Sequence, residues 1–418
     1  MLASLRVLLK DRPYLVALLI GLAAQLLFTL HLDQPRQIMF DETHYVPAAK
    51  ALLELSAPRN IEHPLLGKEI IAAGIGLFGD NPYGWRIFST IAATSTVVAG
   101  FAFLWLLLGS MRSAVFGALL LAINHLVFIQ ARIGMLDVFL GAFVSWGLVL
   151  MLWAMRGTPR QVLWRWVGAS ILLGLAVAVK WAAVPYVALA GLAFIVLRRD
   201  RPARWPGLPI WRGLLILGLV SIPVYFLTFL PAFFYAQNPL TLERLIPFQG
   251  EMYALQTQVL AGHTYQSKWW SWPLMLRPIW YLYEPGADGV YRGVLLVGNP
   301  AIMWGGLVAV LACLNAAWRE RAPRPLAVAL LWIASVAIYI VIPKSLGFYY
   351  YYYLSSIFLC FVIATAFHHF DRGRKLGREK WFAAAALLLF VYFYPILSAA
   401  PLPDAGAYRW WTWFPGWV

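Results

Sequence analysis

Ile87-Phe-Ser-Thr-Ile-Ala-Ala-Thr-Ser-Thr-Val-Val-Ala-Gly-Phe-Ala-Phe-Leu-Trp-Leu-Leu-Leu108 runs for 22 residues without a charge, between Arg86 and Arg112. As a helix rising about 1.5 Å per residue it reaches about 33 Å, enough to cross a hydrocarbon core roughly 30 Å thick. Ten further apolar runs of comparable reach lie on either side of it, at approximately 13–32, 114–131, 135–155, 163–180, 182–197, 213–235, 293–316, 326–343, 348–367 and 381–398. The chain is 62% hydrophobic and only 12% charged, whereas an ordinary soluble domain carries about 25% charged residues. The expectation is an all-α polytopic membrane protein with about eleven transmembrane helices, forming a single unit over residues 1–418. The first run follows Met1-Leu-Ala-Ser-Leu-Arg6, and no small-residue cleavage site intervenes before Asp33, so it reads as a retained helix. Cys313 and Cys360 fall inside apolar runs and read as packing residues rather than a disulfide framework.

A net charge of +15 invites a nucleic-acid reading, which its distribution removes. With the N-terminus cytoplasmic and eleven crossings, the inner segments hold twenty Lys and Arg against five acids, Asp11, Asp200, Glu320, Asp371 and Glu379. The outer segments hold thirteen bases and thirteen acids. The whole excess is therefore a positive-inside bias, and no nucleic-acid partner is expected. The outer face carries the two long connections, 33–86 and 237–292, and a Trp-rich tail, 399–418, with Trp410, Trp411, Trp413 and Trp417. Loops of this length are usually functional or disordered, and these are too aromatic and apolar for disorder. Tyr45–Leu55 and Leu65–Ile75 have helical apolar spacing and read as interfacial helices. The second loop's Trp269-Trp270-Ser-Trp272-Pro and Trp280-Tyr-Leu-Tyr283 suit the headgroup layer.

Candidate chemistry gathers on this same face. Phe40-Asp41-Glu42-Thr43-His44-Tyr45 places two acids and an imidazole just beyond the first helix. Adjacent carboxylates repel, which raises the pKa of one of them and suits a general base; the competing reading makes Asp41 the N-cap of an interfacial helix with His44 at N3. In Glu62-His63-Pro64-Leu65-Leu66-Gly67-Lys68, His63 and Lys68 either face a phosphate or anchor the loop. Asp41, Glu42, His44 and His63 also compose a donor set for a divalent metal, with a spacing that is not diagnostic. Arg86, Arg132 and Lys180 stand at outer helix ends, where the positive-inside bias depletes cations, and together form a candidate site for an anionic headgroup. Asp137 is costly in lipid and is expected to pair with a cation or face a cavity.

The protein O-mannosyltransferases, membrane glycosyltransferases of the GT-C class, are the family that these residues resemble in order along most of the chain. Asp41-Glu42-x-His44-Tyr45 resembles the family's Asp-Glu motif, and His63-Pro64-Leu65-Leu66-Gly67-Lys68 its His-Pro-Pro-Leu-Gly-Lys motif, with Leu65 in place of the second Pro. Ala131-Arg132-Ile-Gly-Met-Leu136-Asp137, Val179-Lys180-Trp181, Trp269-Trp270-Ser-Trp272-Pro273 through Arg277-Pro278, Arg292-Gly293 and Gly298-Asn299-Pro300 continue the likeness. Lys344-Ser-Leu-Gly-Phe348 stands where the family has an Arg-containing segment. The resemblance implies the GT-C fold, a bacterial representative without the MIR domain of eukaryotic members, and inverting transfer of mannose from a polyprenyl-phosphate donor to Ser or Thr of proteins crossing the inner membrane, near the secretion translocon. It implies Asp41 as catalytic base, with Glu42, His44, His63 and Lys68 in support. Arg86, Arg132, Asp137, Lys180 and Lys344 would surround the donor's phosphate and sugar, and Trp270, Trp272, Arg277 and Asn299 would belong to the loop motif. Phosphate departure stabilised by cations needs no metal cofactor. A GT-C enzyme glycosylating lipid A with aminoarabinose, or a surface polysaccharide, is the neighbouring alternative. A transporter or flippase is the alternative of another class; it calls for polar residues at the bilayer midplane, whereas here they lie at the outer ends.

Overall fold

A computed structural model describes residues 12–342, 344–371 and 377–418. Arg6, Lys10, Asp11, Arg372, Arg374 and Lys375, which enter the inner charge count, lie outside the described residues, as does Pro343 at the end of the ninth expected span. The chain runs α1 (Pro13–Thr29), α2 (Glu42–Leu53), α3 (Leu66–Phe78), α4 (Pro82–Leu108), α5 (Met111–Ala122), α6 (His125–Gln130), α7 (Leu136–Ala154), α8 (Pro159–Val179), α9 (Val184–Asp200) and α10 (Ile210–Leu227). It continues through α11 (Leu245–Thr257), β1 (Ile279–Pro285), β2 (Tyr291–Leu296), α12 (Pro300–Glu320), α13 (Pro323–Ala337), α14 (Tyr353–Phe370) and α15 (Arg378–Leu397). Among the described residues, nine helices are long and apolar enough to cross a membrane. α1 and α5 are apolar but shorter, so length alone does not reach the count of eleven. The reason at the third expected span is local. Asn124 interrupts it, and its Oδ1 accepts from the Leu126 N–H at 3.0 Å, capping α6, while its Nδ2 donates to Ser356 of α14. An Asn among apolar neighbours satisfies itself best at a helix start.

α14 is the axis of the bundle. Every residue from Tyr353 to Ala366 is buried, the pattern of a helix covered on all sides. Its neighbours approach closely through small residues: a Cβ on Gly141 of α7 would lie 2.5 Å from the Tyr353 ring.

Both long connections are ordered, and they are tied together. The first contains α2 and α3, close to the two interfacial helices expected. The second contains α11, a 3₁₀ turn at Trp269–Leu274, and an antiparallel hairpin pairing Ile279 with Leu296 and Pro285 with Tyr291. The hairpin corrects the expectation of an eighth helix from residue 293 and adds a strand pair to an otherwise helical chain. Aromatic and β-branched residues flank the turn ending in Asp288-Gly289, where Gly289 has φ 74°, and α12 begins only at Pro300, capped by Asn299. Ala236 and Gln237 donate backbone hydrogen bonds to Leu55 and Ser56, and Gln256 Nε2 donates to the Glu62 carbonyl at 2.6 Å. The tail docks on the second loop: Trp417 Nε1 donates to Met275 O at 2.7 Å, and Arg277 Nη1 donates to Gly416 O and Val418 O.

α3 is seated on α4 by a glycine. A Cβ on Gly74 would lie 2.3 Å from the Gly84 carbonyl oxygen, while one on Gly76, facing outward, would meet a Leu53 methyl at 3.4 Å. Gly74→Ala is therefore expected to lower stability by about 1–3 kcal/mol through overpacking, and Gly76→Ala to hold or raise it, since Ala is the better helix former. Thermal unfolding of the two variants in detergent checks this; equal melting temperatures would contradict the close backbone approach.

Candidate active site

The first turn of α2 separates the two adjacent acids. Glu42 is wholly buried. Its Oε1 accepts from Arg86 Nε at 2.7 Å and Gly134 N at 2.8 Å, and its Oε2 from Arg86 Nη2 at 2.8 Å and Met39 N at 3.0 Å. Arg86, equally buried, donates its remaining N–H groups to Pro35 O at 2.7 Å, Gln37 O at 3.0 Å and Leu32 O at 3.4 Å. Asp41 occupies the N-cap position, but its backbone is already helical and its carboxylate makes no capping hydrogen bond. The capping role open to it in the sequence is unused, and the carboxylate instead lines a cavity of about 280 Å³.

That cavity is walled by residues of both long loops and of the segment before α14: His44, Tyr45, Asn60, Glu62 and His63, then Gln256 and Leu260, then Lys344, Ser345, Phe348, Tyr350 and Tyr351. Behind the Tyr wall, Lys180 Nζ pairs with both oxygens of Asp137, at 2.9 and 3.0 Å. The ammonium also stands 5.2 Å from the centre of the Tyr350 ring and 5.1 Å from that of Tyr351. Lys180 owes this position to the end of α8, where its backbone turns extended. Lys344 reaches the same residue, 3.3 Å from the Tyr351 hydroxyl and 5.4 Å from the centre of its ring.

Burial pushes the Asp41 carboxyl up to about 6, with Lys180, His44 and Lys344 pulling it down and Asp137 adding to the rise. The cause differs from the expected repulsion by Glu42, whose charge is matched by Arg86. His63 is held well below the usual imidazole range, first by burial and then by the charges of Lys180, Lys344, Lys68 and His44, so it is neutral at pH 7. Lys68, brought down to about 7 by burial, donates to Asn60 O at 2.7 Å and His63 O at 2.8 Å. It anchors the loop rather than facing a phosphate.

Of the residues singled out in the sequence, Asp41, His44, His63, Lys344, Asp137 and Lys180 converge on or behind the cavity, Trp272 packs against its wall, and the others do not reach it. Arg86 is spent on Glu42. Arg132 donates to Phe28 O, Leu30 O and His31 O at 2.6–2.9 Å, where it satisfies the open carbonyls at the end of α1. Trp270 is half exposed to the outside. Trp272 packs behind the wall, 4.8 Å from the Tyr339 ring and 5.9 Å from Tyr351. Arg277 fastens the tail, and Asn299 caps α12 while donating to Ala386 O at 2.9 Å. Among the described residues no three His, Cys, Asp or Glu side chains gather as metal ligands; of the four donors named in the sequence, Glu42 is turned to Arg86. Tyr350, Tyr351, Asn60, Glu62, Gln256 and Ser345 complete the cavity without having been singled out; the run of five Tyr from 349 to 353 was the available signal.

The family described as dolichyl-phosphate-mannose-protein mannosyltransferase matches residues 62–226, and the C-terminal four TMM region of protein-O-mannosyltransferase matches 241–417. A polyprenol-phosphate-mannose–protein mannosyltransferase of Mycobacterium tuberculosis is 26% identical, over 91% of this chain and 86% of its own length. Among solved structures, the S. cerevisiae protein O-mannosyltransferase Pmt1–Pmt2 complex bound to the sugar donor superposes with a TM-score of 0.82 at 14% identity, covering 100% of this chain and 94% of that one. ArnT from Cupriavidus metallidurans bound to undecaprenyl phosphate has a TM-score of 0.59 at 15% identity, with 90% and 69% covered. These likenesses run through both halves of the bundle and both long loops, and the chain belongs to the protein O-mannosyltransferase family, with the GT-C fold.

Proposed function

We propose that this protein is an inverting glycosyltransferase that moves mannose from a polyprenyl-phosphate donor to Ser or Thr hydroxyls of polypeptides on the periplasmic face of a bacterial inner membrane. The observation that carries the reading is Asp41: a carboxylate at a helix start that caps nothing, lines a cavity and is raised to about 6 by burial. The acceptor oxygen attacks the anomeric carbon as the bond from that carbon to the phosphate oxygen breaks, and the hydroxyl proton passes to Asp41. Attack opposite the phosphate inverts the anomeric configuration. Lys180, with Lys344 beside the Tyr351 ring, stabilises the charge that grows on the departing polyprenyl phosphate. Asp137 fixes the ammonium of Lys180, and neutral His63 offers a hydrogen bond without competing for the proton. The positive-inside charge count favours this face as the outer one.

Transfer by purified protein from mannosyl-phosphoryl polyprenol to a Ser/Thr peptide tests the reading. Asp41→Asn is expected to cost about 10²–10⁴ in kcat without lowering the melting temperature. Folding favours the protonated form of a carboxyl whose pKa is raised, so the stability tied to that shift is lost as pH climbs through about 6, and a neutral isostere forfeits nothing at pH 7. Full turnover by this variant would remove Asp41 as base. Because Asp41 must be ionised, kcat/KM should climb about tenfold per pH unit below 6 and level off above it; a profile flat from pH 5 to 8 would contradict this. Lys180→Ala should cost about 10²–10³ in rate, and turnover should persist in excess chelator.

The brace behaves in the opposite way. Glu42→Ala and Arg86→Ala should each cost about 3–5 kcal/mol of stability by stranding a buried charge, with the double variant well short of additive. Thermal unfolding of the three variants decides it, and additive losses would show that the pair acts as two independent groups.

A further inference from the structure

Phe40, immediately before Asp41, has φ 48°. An aromatic residue in the left-handed region is strained and persists there only when its surroundings over-determine it. Here they are aromatic. The Phe40 ring stacks on Tyr281 with centroids 4.1 Å apart and planes at 17°, and meets Tyr350 edge-on at 5.8 Å and 74°. Tyr281 belongs to β1, and its hydroxyl accepts from Gln130 Nε2 of α6 at 3.1 Å. Tyr350 lies beneath the Lys180 ammonium. The Phe40 carbonyl closes the turn by accepting from the Thr43 N–H and, at 2.8 Å, the Thr43 hydroxyl.

The backbone of Asp41 shows what this turn does. An N-cap residue ordinarily sits in the extended region, from which its side chain reaches back to the N–H groups of the first turn. After the left-handed Phe40, Asp41 has φ −68° and ψ −8°, and the carboxylate is released into the cavity. We infer that Phe40 is a positioning residue: clamped between Tyr281 of the second loop and Tyr350 of the cavity wall, it holds the turn that aims Asp41 at the acceptor hydroxyl. The hairpin thereby acquires a function in a helical chain, since β1 supplies the face of the clamp that no helix provides.

The inference rests on Asp41 as the base, and the kinetics of purified full-length variants separate the two. Phe40→Leu and Tyr281→Ala should lower kcat by about ten- to a hundredfold, the effect of an ångström-scale misplacement, with donor and peptide KM within about twofold. The acid limb of the pH profile should move below its position near 6 as Asp41 gains water, while His44, Lys180, Asp137 and Lys344, the ionisable groups that act on it, stay in place. Phe40→Tyr should restore most of the rate. Phe40→Gly, which relieves the strain but removes the ring, should be as slow as Phe40→Leu. Wild-type kcat and an unmoved acid limb in Phe40→Leu and Tyr281→Ala would overturn the inference, as would a loss confined to KM or to melting temperature. Should Phe40→Leu fail to fold, Tyr281→Ala, altered in the other loop, decides alone. Full turnover by Asp41→Asn overturns the base and this inference with it; an inactive Asp41→Asn beside normal Phe40 and Tyr281 variants overturns the inference only.

Discussion

The Glu42–Arg86 pair is the interaction on which the outer half of the molecule depends. Both side chains are withdrawn from water completely, and taking two ions out of water costs several kcal/mol each. Such a pair persists only if nearly every lone pair and proton finds a partner. Here the guanidinium meets the carboxylate with two N–H groups and spends others on Pro35 and Gln37, while the carboxylate also accepts from Met39 and Gly134. One ion pair thus joins α2, α4, the strap entering the first loop and the turn before α7. It fixes the start of α2 against the bundle, and that start carries Asp41. The neighbouring acids therefore differ in kind: one is bound to the scaffold by its charge, the other is left to titrate.

The same distinction sorts the three outer cations, and it explains why the sequence could not. Arg86, Arg132 and Lys180 each sit at a helix end beside an acidic loop, so position and charge read alike. Their partners are non-local. Arg132 meets carbonyls about a hundred residues away, at the end of α1, and Arg86 meets a carboxylate forty-four positions back. Of the three, Lys180 is the one that faces the rings of the cavity wall, held there by Asp137. A planar five-donor guanidinium suits saturation by fixed carbonyls, whereas a lysine ammonium suits a position where one partner is to be joined by another.

The apolar runs were legible because a hydrocarbon solvent leaves the backbone little choice but helix, and the first-loop helices because their apolar residues recur at helical spacing. What escaped lies where tertiary contacts override such local signals. Asn124 breaks a run that hydropathy reads as continuous, and Tyr291–Leu296 merges into the apolar approach to α12, so its strand pairing is hidden. At the site, Asp41, His63 and Lys180 were readable from residue type and order. The Tyr wall was less so, since five tyrosines at the head of a membrane helix resemble an aromatic belt until the fold sets two of them, Tyr350 and Tyr351, beside Lys180.

Charge conservation links these parts. In the proposed transfer the phosphodiester of the donor carries one negative charge and the departing polyprenyl phosphate carries two, while Asp41 would lose its own negative charge on taking the acceptor's proton. The net charge of the cavity is the same before and after transfer; one negative charge has moved from Asp41 to the phosphate. In a poorly solvated cavity such a displacement is costly unless fixed positive charge attracts it at both ends. Lys180 is so placed, being the strongest attraction acting on the Asp41 carboxylate and an ammonium above the rings that wall the cavity. Asp137 holds the Lys180 ammonium with both of its oxygens, and its own negative charge adds to the rise of the Asp41 carboxyl. The buried brace at Glu42, the aromatic clamp at Phe40 and the Lys180–Asp137 pair serve this one requirement, that the distances along which the charge moves are set before the substrates arrive.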